Sequence, residues 1–117
     1  MNRRRYILIF ERAEININPE NVKMAVGYPA KFYCGASGYE NEYSWQEMRP
    51  GGVWIDSHNS GSKTPLLTVV AKYNLNGYKY RCKVTNGGNV FYSDSATLTV
   101  VGVSSNGTSS KLQSADN

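Results

Sequence analysis

A chain of 117 residues has the length of one domain. With 40% hydrophobic residues and a mean hydropathy of −0.49, it is neither a disordered chain nor a membrane-embedded one. The formal charge of +4 gathers at the start. Removing residues 1–14 takes away four arginines and two glutamates and leaves nine basic against seven acidic residues, too even a balance for the basic face that a nucleic-acid-binding domain needs.

In chain order, residues 1–14 form a basic and apolar leader in which Arg3, Arg4 and Arg5 precede the run from Tyr6 to Phe10. That run is shorter than the core of a signal peptide, which needs about 7–15 apolar residues. Glu11 and Arg12 end it. Residues 15–101 then alternate with period 2, the signature of half-buried strands. Val22, Met24 and Val26 alternate first, followed by Ala30, Phe32 and Cys34. After the turn-rich stretch 35–42 come Tyr43 and Trp45. Pro50-Gly51-Gly52 marks a turn before a short strand expected over Val53, Trp54 and Ile55. A polar loop spans 56–64. Leu67 and Val69 follow, then Tyr78, Tyr80, Cys82 and Val84. Asn86-Gly87-Gly88-Asn89 signals a hairpin before Ala96, Leu98 and Val100. Residues 102–117 are rich in Ser, Asn and Gly and read as a flexible tail. Short strands at this spacing mean an all-β antiparallel sandwich or a small barrel.

The two cysteines, Cys34 and Cys82, fall on inward positions of their strands. They could bridge the core or pack there as buried thiols. Trp45 stands inward on the strand after Cys34, and Tyr80 lies two residues before Cys82. Cysteine, tryptophan, tyrosine and cysteine in this order and parity match the hallmarks of immunoglobulin-type sandwiches. Residues 19–101 resemble a bacterial immunoglobulin-like (I-set-like) domain of Gram-positive surface proteins. The resemblance rests on Tyr43-Ser44-Trp45-Gln46, Gly52-Val53-Trp54, Leu66-Leu67-Thr68-Val69, Asn76 through Cys82, and Ser95 through Val100. It implies a two-sheet Greek-key β-sandwich, a Cys34–Cys82 disulfide beneath Trp45, and a core built on Trp45, Tyr80, Phe32 and Leu67. In the animal I-set pattern the strand before the second cysteine opens Asp-x-Gly-x-Tyr. Here Asn76 takes the Asp place and Gly77 comes one position early. The Tyr80 hydroxyl is expected to satisfy a backbone group at that corner. One sheet should hold the strands around Cys34 and Leu67, and the other those around Trp45, Cys82 and Leu98.

Chemistry finds little purchase. The single histidine, His58, neighbours Asp56 and Ser57 in the polar loop, but a triad needs groups converging from separate elements. Glu40, Asn41 and Glu42 are too few oxygen donors for calcium. No enzyme activity, cofactor or metal is expected. Lys79, Arg81 and Lys83 form an outward basic row, expected to pair with Glu42, Glu47 or Asp94. Trp54, Tyr39, Tyr92, Asn86 and Asn89 are the candidate binding surface for a protein or glycan ligand. The resemblance implies an extracellular or cell-surface module, part of a longer exported chain with neighbouring domains and no membrane insertion. It would serve adhesion or act as a spacer. The other readings are an accessory carbohydrate-binding domain of a polysaccharide-active enzyme and a decoration domain on a phage particle.

Overall fold

A computed structural model describes residues 13–102. The expected leader falls almost wholly, and the tail all but Gly102, outside these residues. Ten strands form: β1 (Ile15–Ile17), β2 (Val22–Ala25), β3 (Pro29–Tyr33), β4 (Gly35–Ala36), β5 (Glu42–Met48), β6 (Ile55–Asp56), β7 (Leu66–Val70), β8 (Lys79–Asn86), β9 (Asn89–Tyr92) and β10 (Ala96–Val101). A 3-10 turn, Tyr73–Leu75, links β7 to β8. No helix among the described residues is long and apolar enough to cross a membrane.

Two layers pack face to face. The larger sheet runs β2-β10-β8-β5-β6, with β9 also paired to β8. The smaller layer pairs β3 with β7 and β1 with β4, both antiparallel. Pairing is antiparallel throughout except at one edge, where β2 lies parallel to β10. The strands around Leu67 and those around Trp45, Cys82 and Leu98 therefore lie in opposite layers. Cys34 follows β3 directly, and its N–H donates to Pro65 O, just before β7, at 3.0 Å.

The core follows from strand parity. In β3 the pattern is exposed-buried-exposed-buried-exposed, so Ala30 and Phe32 point in while Pro29, Lys31 and Tyr33 point out. In β8, Tyr80, Cys82 and Val84 are buried between half-buried neighbours. Leu67 and Val69 of β7 and Ala96, Leu98 and Val100 of β10 complete the cluster around Trp45, the largest fully buried side chain. Burying a set of this size is the main force holding two such layers together.

Three expectations need correction. The disulfide is not formed: Cys34 and Cys82 are free, fully buried thiols 4.1 Å apart, about twice a bonded sulfur–sulfur distance. They pack as small hydrophobes. Hydrogen bonding to Cys34, reinforced by burial, holds the Cys82 thiol above its ordinary value.

The strand expected over Val53 to Ile55 begins only at Ile55. Gly51 has φ +73, and Gly52 N–H closes a turn onto Arg49 O at 2.8 Å, so the chain is still leaving that turn at Val53. After the hairpin the chain forms two strands, β9 and β10. Between them Ser93 is buried, receiving the Cys82 N–H on its hydroxyl oxygen and donating the hydroxyl to Asp94 O, both at 2.8 Å. The polar segment 56–64 is pinned rather than loosely solvated. Trp45 N–H donates to Ser62 O at 2.8 Å, Ser57 N–H donates to Trp45 O at 2.9 Å, and the Trp45 indole Nε1–H donates to Thr64 O at 2.7 Å.

Candidate binding surface

The register of β5 against β8 decides what the outer face of the larger sheet presents. Trp45 stands opposite Cys82, both inward. The next positions on either side must then point outward. These are Ser44 opposite Lys83 and Gln46 opposite Arg81, with Met48 opposite Lys79 one pair further on. Each basic residue thus faces a neutral partner. Arg81 Nε–H donates to Gln46 Oε1 at 2.8 Å, and Lys79 Nζ donates to Thr97 Oγ1 at 3.4 Å. Among the described residues no carboxylate pairs with Lys79, Arg81 or Lys83. The expected partners are occupied elsewhere or out of register. Glu47 accepts from Asn59 Nδ2 at 3.1 Å, Glu42 stands opposite Thr85, and Asp94 lies between β9 and β10, outside the register with β8.

Two rings from remote segments close on the middle of this row. The Arg81 guanidinium carbon lies 4.4 Å from the centroid of Trp54 and 4.2 Å from that of Tyr92. Tyr92 reaches it from β9, where it stands opposite Lys83, and Trp54 from the turn before β6. Each stacking contact is worth about 0.5–2 kcal/mol, depending on how dry it is. Trp54 is half-buried, while Tyr92 and its strand neighbour Val90 are about half exposed, at 48% and 47%. Lys63 Nζ donates to Ser44 Oγ at 3.0 Å beside them. Lys63 and Lys83 line an open basin of about 560 Å³ together with Asn41, Glu42 and Asp56.

The remaining candidates sit at one pole. Asn86 Nδ2 donates to Tyr39 O and to Asn41 Oδ1, both at 2.8 Å, tying the β4–β5 loop to the β8–β9 hairpin. Tyr39 is 78% exposed and Asn89 stands opposite Asn86 across the hairpin. Trp54 and Tyr92 are thus brought together on Arg81, whereas Tyr39, Asn86 and Asn89 form a separate group in which the Asn86 amide is already engaged. Arg81 and Gln46 were not among the sequence candidates. The outward parity of Arg81 was the available signal.

Ser57, next to His58, is buried, and its hydroxyl accepts from Asn59 Nδ2 at 2.9 Å. Among the described residues no three His, Cys, Asp or Glu side chains cluster as a metal site.

Tyr80 departs from the expected corner. Its ring packs against Phe32 at 4.9 Å and Tyr78 at 6.4 Å between centroids, but its buried hydroxyl has no hydrogen-bond partner among the described residues. Apolar contact, not a hydroxyl bond, sets its position. Burial, then the charge of Glu47 and the neighbouring Tyr78, push the phenol above its ordinary value. Tyr80→Phe should therefore leave stability unchanged or raise it by about 1–2 kcal/mol, where loss of a satisfied hydroxyl would lower it. Because the folded state resists ionisation, the wild type should lose stability as pH climbs past about 10, the unfolded phenol's value, and the variant should lose less. Urea titrations at neutral and alkaline pH test both statements.

No protein-family model matches the chain, and no curated protein matches it in sequence. Solved structures do. Tandem Ig repeats of Dlar superpose with a TM-score of 0.62 at 20% identity, over 78% of this chain and 49% of that one. The N-terminal Ig1-2 module of the Drosophila receptor protein tyrosine phosphatase DLAR gives 0.57 at 24% identity, over 81% and 52%. Titin domains z1z2, in complex with telethonin, give 0.57 at 25% identity, over 82% and 51%. The chain spans about half the length of each. Two packed sheets, a fully buried tryptophan opposite Cys82 and this agreement in architecture lead to one conclusion: the chain carries an immunoglobulin-like β-sandwich.

Proposed function

We propose that this domain is a non-catalytic protein-binding module of an extracellular or cell-surface protein, and that it engages its partner on the outer face of the larger sheet. The observation that carries this reading is the Trp54–Arg81–Tyr92 stack, which fixes an arginine and two aromatic rings at the middle of an exposed sheet face. Tryptophan, tyrosine and arginine dominate binding energy at protein interfaces, and rings already held in place lose little entropy on binding. Titin z1z2 in its complex with telethonin is an immunoglobulin-like neighbour with a protein partner. The finer assignment is adhesion or spacing within a bacterial surface protein. Its support is the resemblance of residues 76–82 and 95–100 to domains of that kind. A carbohydrate-binding role has less support, because the guanidinium already covers one face of each ring that would stack on a sugar.

A photoreactive phenylalanine placed at Val90, on this face, or at Lys31, outward on the opposite layer, separates binding from spacing. Irradiation on intact source cells should yield a partner adduct from position 90 and none from position 31. Adducts from position 31 alone, or from neither, would overturn the reading.

A further inference from the structure

The outward row of β8 holds positive charge that the domain does not use. Lys83 makes no hydrogen bond or ion pair among the described residues, and Lys79 has only the 3.4 Å contact to the Thr97 hydroxyl. Arg81 spends Nε on Gln46, while its two Nη groups donate to nothing among the described residues. The guanidinium is nonetheless fixed, gripped by Trp54 and Tyr92. A planar fork held in this way with free donors is the geometry that takes a carboxylate in two parallel hydrogen bonds.

We propose that this row docks an extended acidic segment of a partner protein, laid over β8 and β9. The inference rests on the protein-binding reading above and specifies the partner's chemistry. Three features select such a segment. Alternate residues of a strand project about 7 Å apart on one face, so Lys79, Arg81 and Lys83 match a second extended chain carrying a carboxylate at every other residue. Val90 and Tyr92 lie beside the row and offer apolar surface to the residues between those carboxylates. Asp56, opposite Gln46 on β6, and Glu42, at the start of β5, repel an acidic chain from the far side and so confine it to β8 and β9. A nucleic acid fits less well, since each ring has one face covered by Arg81 and cannot serve freely as a base-stacking platform.

The test is a titration of the full chain with a fluorescein-labelled peptide of alternating glutamate and threonine, about ten residues long to exceed the row. A peptide with glutamine for glutamate, dextran sulfate and a single-stranded oligonucleotide run in parallel, at about 50 and 200 mM salt to vary screening. The acidic peptide should bind saturably, and the glutamine peptide should not. Binding should weaken with salt and fall about tenfold or more in the Lys79→Gln, Lys83→Gln double variant, which loses two charge-assisted contacts. Arg81→Lys keeps the charge and loses the fork, and should weaken binding about three- to tenfold. Glu42→Gln should leave binding unchanged or tighten it. Both lysines point outward and are only half-buried, so circular dichroism should show the double variant folded. No saturable binding of the acidic peptide, equal binding of the glutamine peptide, indifference to the double variant, or tighter binding of dextran sulfate or the oligonucleotide would each overturn the proposal. Failure here alongside adducts from position 90 would leave a neutral partner on the same face. Failure alongside their absence would remove that face from the function altogether.

Discussion

Trp45→Ala is expected to destabilise the domain by about 3–5 kcal/mol, the range for truncating a large buried aromatic side chain. For a domain of this size that lowers the melting temperature by about 12 °C or more. Three interactions converge on the side chain and its backbone. The indole is fully buried at the centre of the two-layer core, standing opposite Cys82. Its Nε1–H satisfies Thr64 O at 2.7 Å. Its backbone N–H and C=O hold Ser62 and Ser57, so the strand at this point anchors the segment leading to β7. Alanine keeps the backbone bonds but leaves a cavity and an acceptor without its donor. Trp45→Phe separates these effects. It refills most of the volume and still loses the bond to Thr64, and should cost about 1–3 kcal/mol. Denaturant unfolding of the wild type and both variants orders the three stabilities. A loss under about 1 kcal/mol for Trp45→Ala would show that the core does not depend on the indole.

The burial of Phe32, Trp45, Tyr80, Cys82 and Leu98 was legible from parity, because a strand with one face on a core leaves no freedom over which residues point inward. Departures from parity were not legible, since each is decided by contacts distant in sequence. The break between β9 and β10 depends on Ser93 meeting the Cys82 backbone eleven residues earlier. Three asparagines take over backbone N–H groups at this break and along β10. Asn18 accepts from Asp94, Asn21 from Thr97 and Asn76 from Val100, each at 2.8 Å. Nothing local to Asn18 or Asn21 announces a partner 76 positions away. The site was half legible in the same sense. The surplus of aromatics singled out Trp54 and Tyr92, and the outward parity of Lys79, Arg81 and Lys83 predicted a basic row. Their meeting depends on the turn at Gly51 and Gly52 releasing Trp54 onto the sheet face. The missing acid partners depend on a β5 register that sets Gln46, not Glu47, opposite Arg81.

Gly61→Ala should be the most damaging single-methyl change in the domain, at about 2–4 kcal/mol. Gly61 has φ +79, where an L side chain costs about 1–2 kcal/mol. A Cβ there would also run into the Leu66 carbonyl oxygen, so the chain must shift to accept it. The place where it would shift is held tightly. Thr64 N–H donates to Gly61 O at 2.9 Å, and the Thr64 hydroxyl lies 2.9 Å from both Gly61 O and Leu66 O. Next to it, Ser60 O accepts from Thr68 N–H at 2.8 Å, the bridge that secures the outer edge of β7. Displacing Gly61 therefore disturbs the same segment that Trp45 anchors from the other side. Gly87→Ala is the control. Gly87 also has positive φ, at +60, but its Cβ would meet nothing within 4 Å. That substitution should cost only the backbone penalty, about 1 kcal/mol. Thermal and urea unfolding of the two variants isolate the clash from the conformation. Equal losses would mean that the segment between β6 and β7 yields freely and that its hydrogen bonds to Trp45 do not hold it.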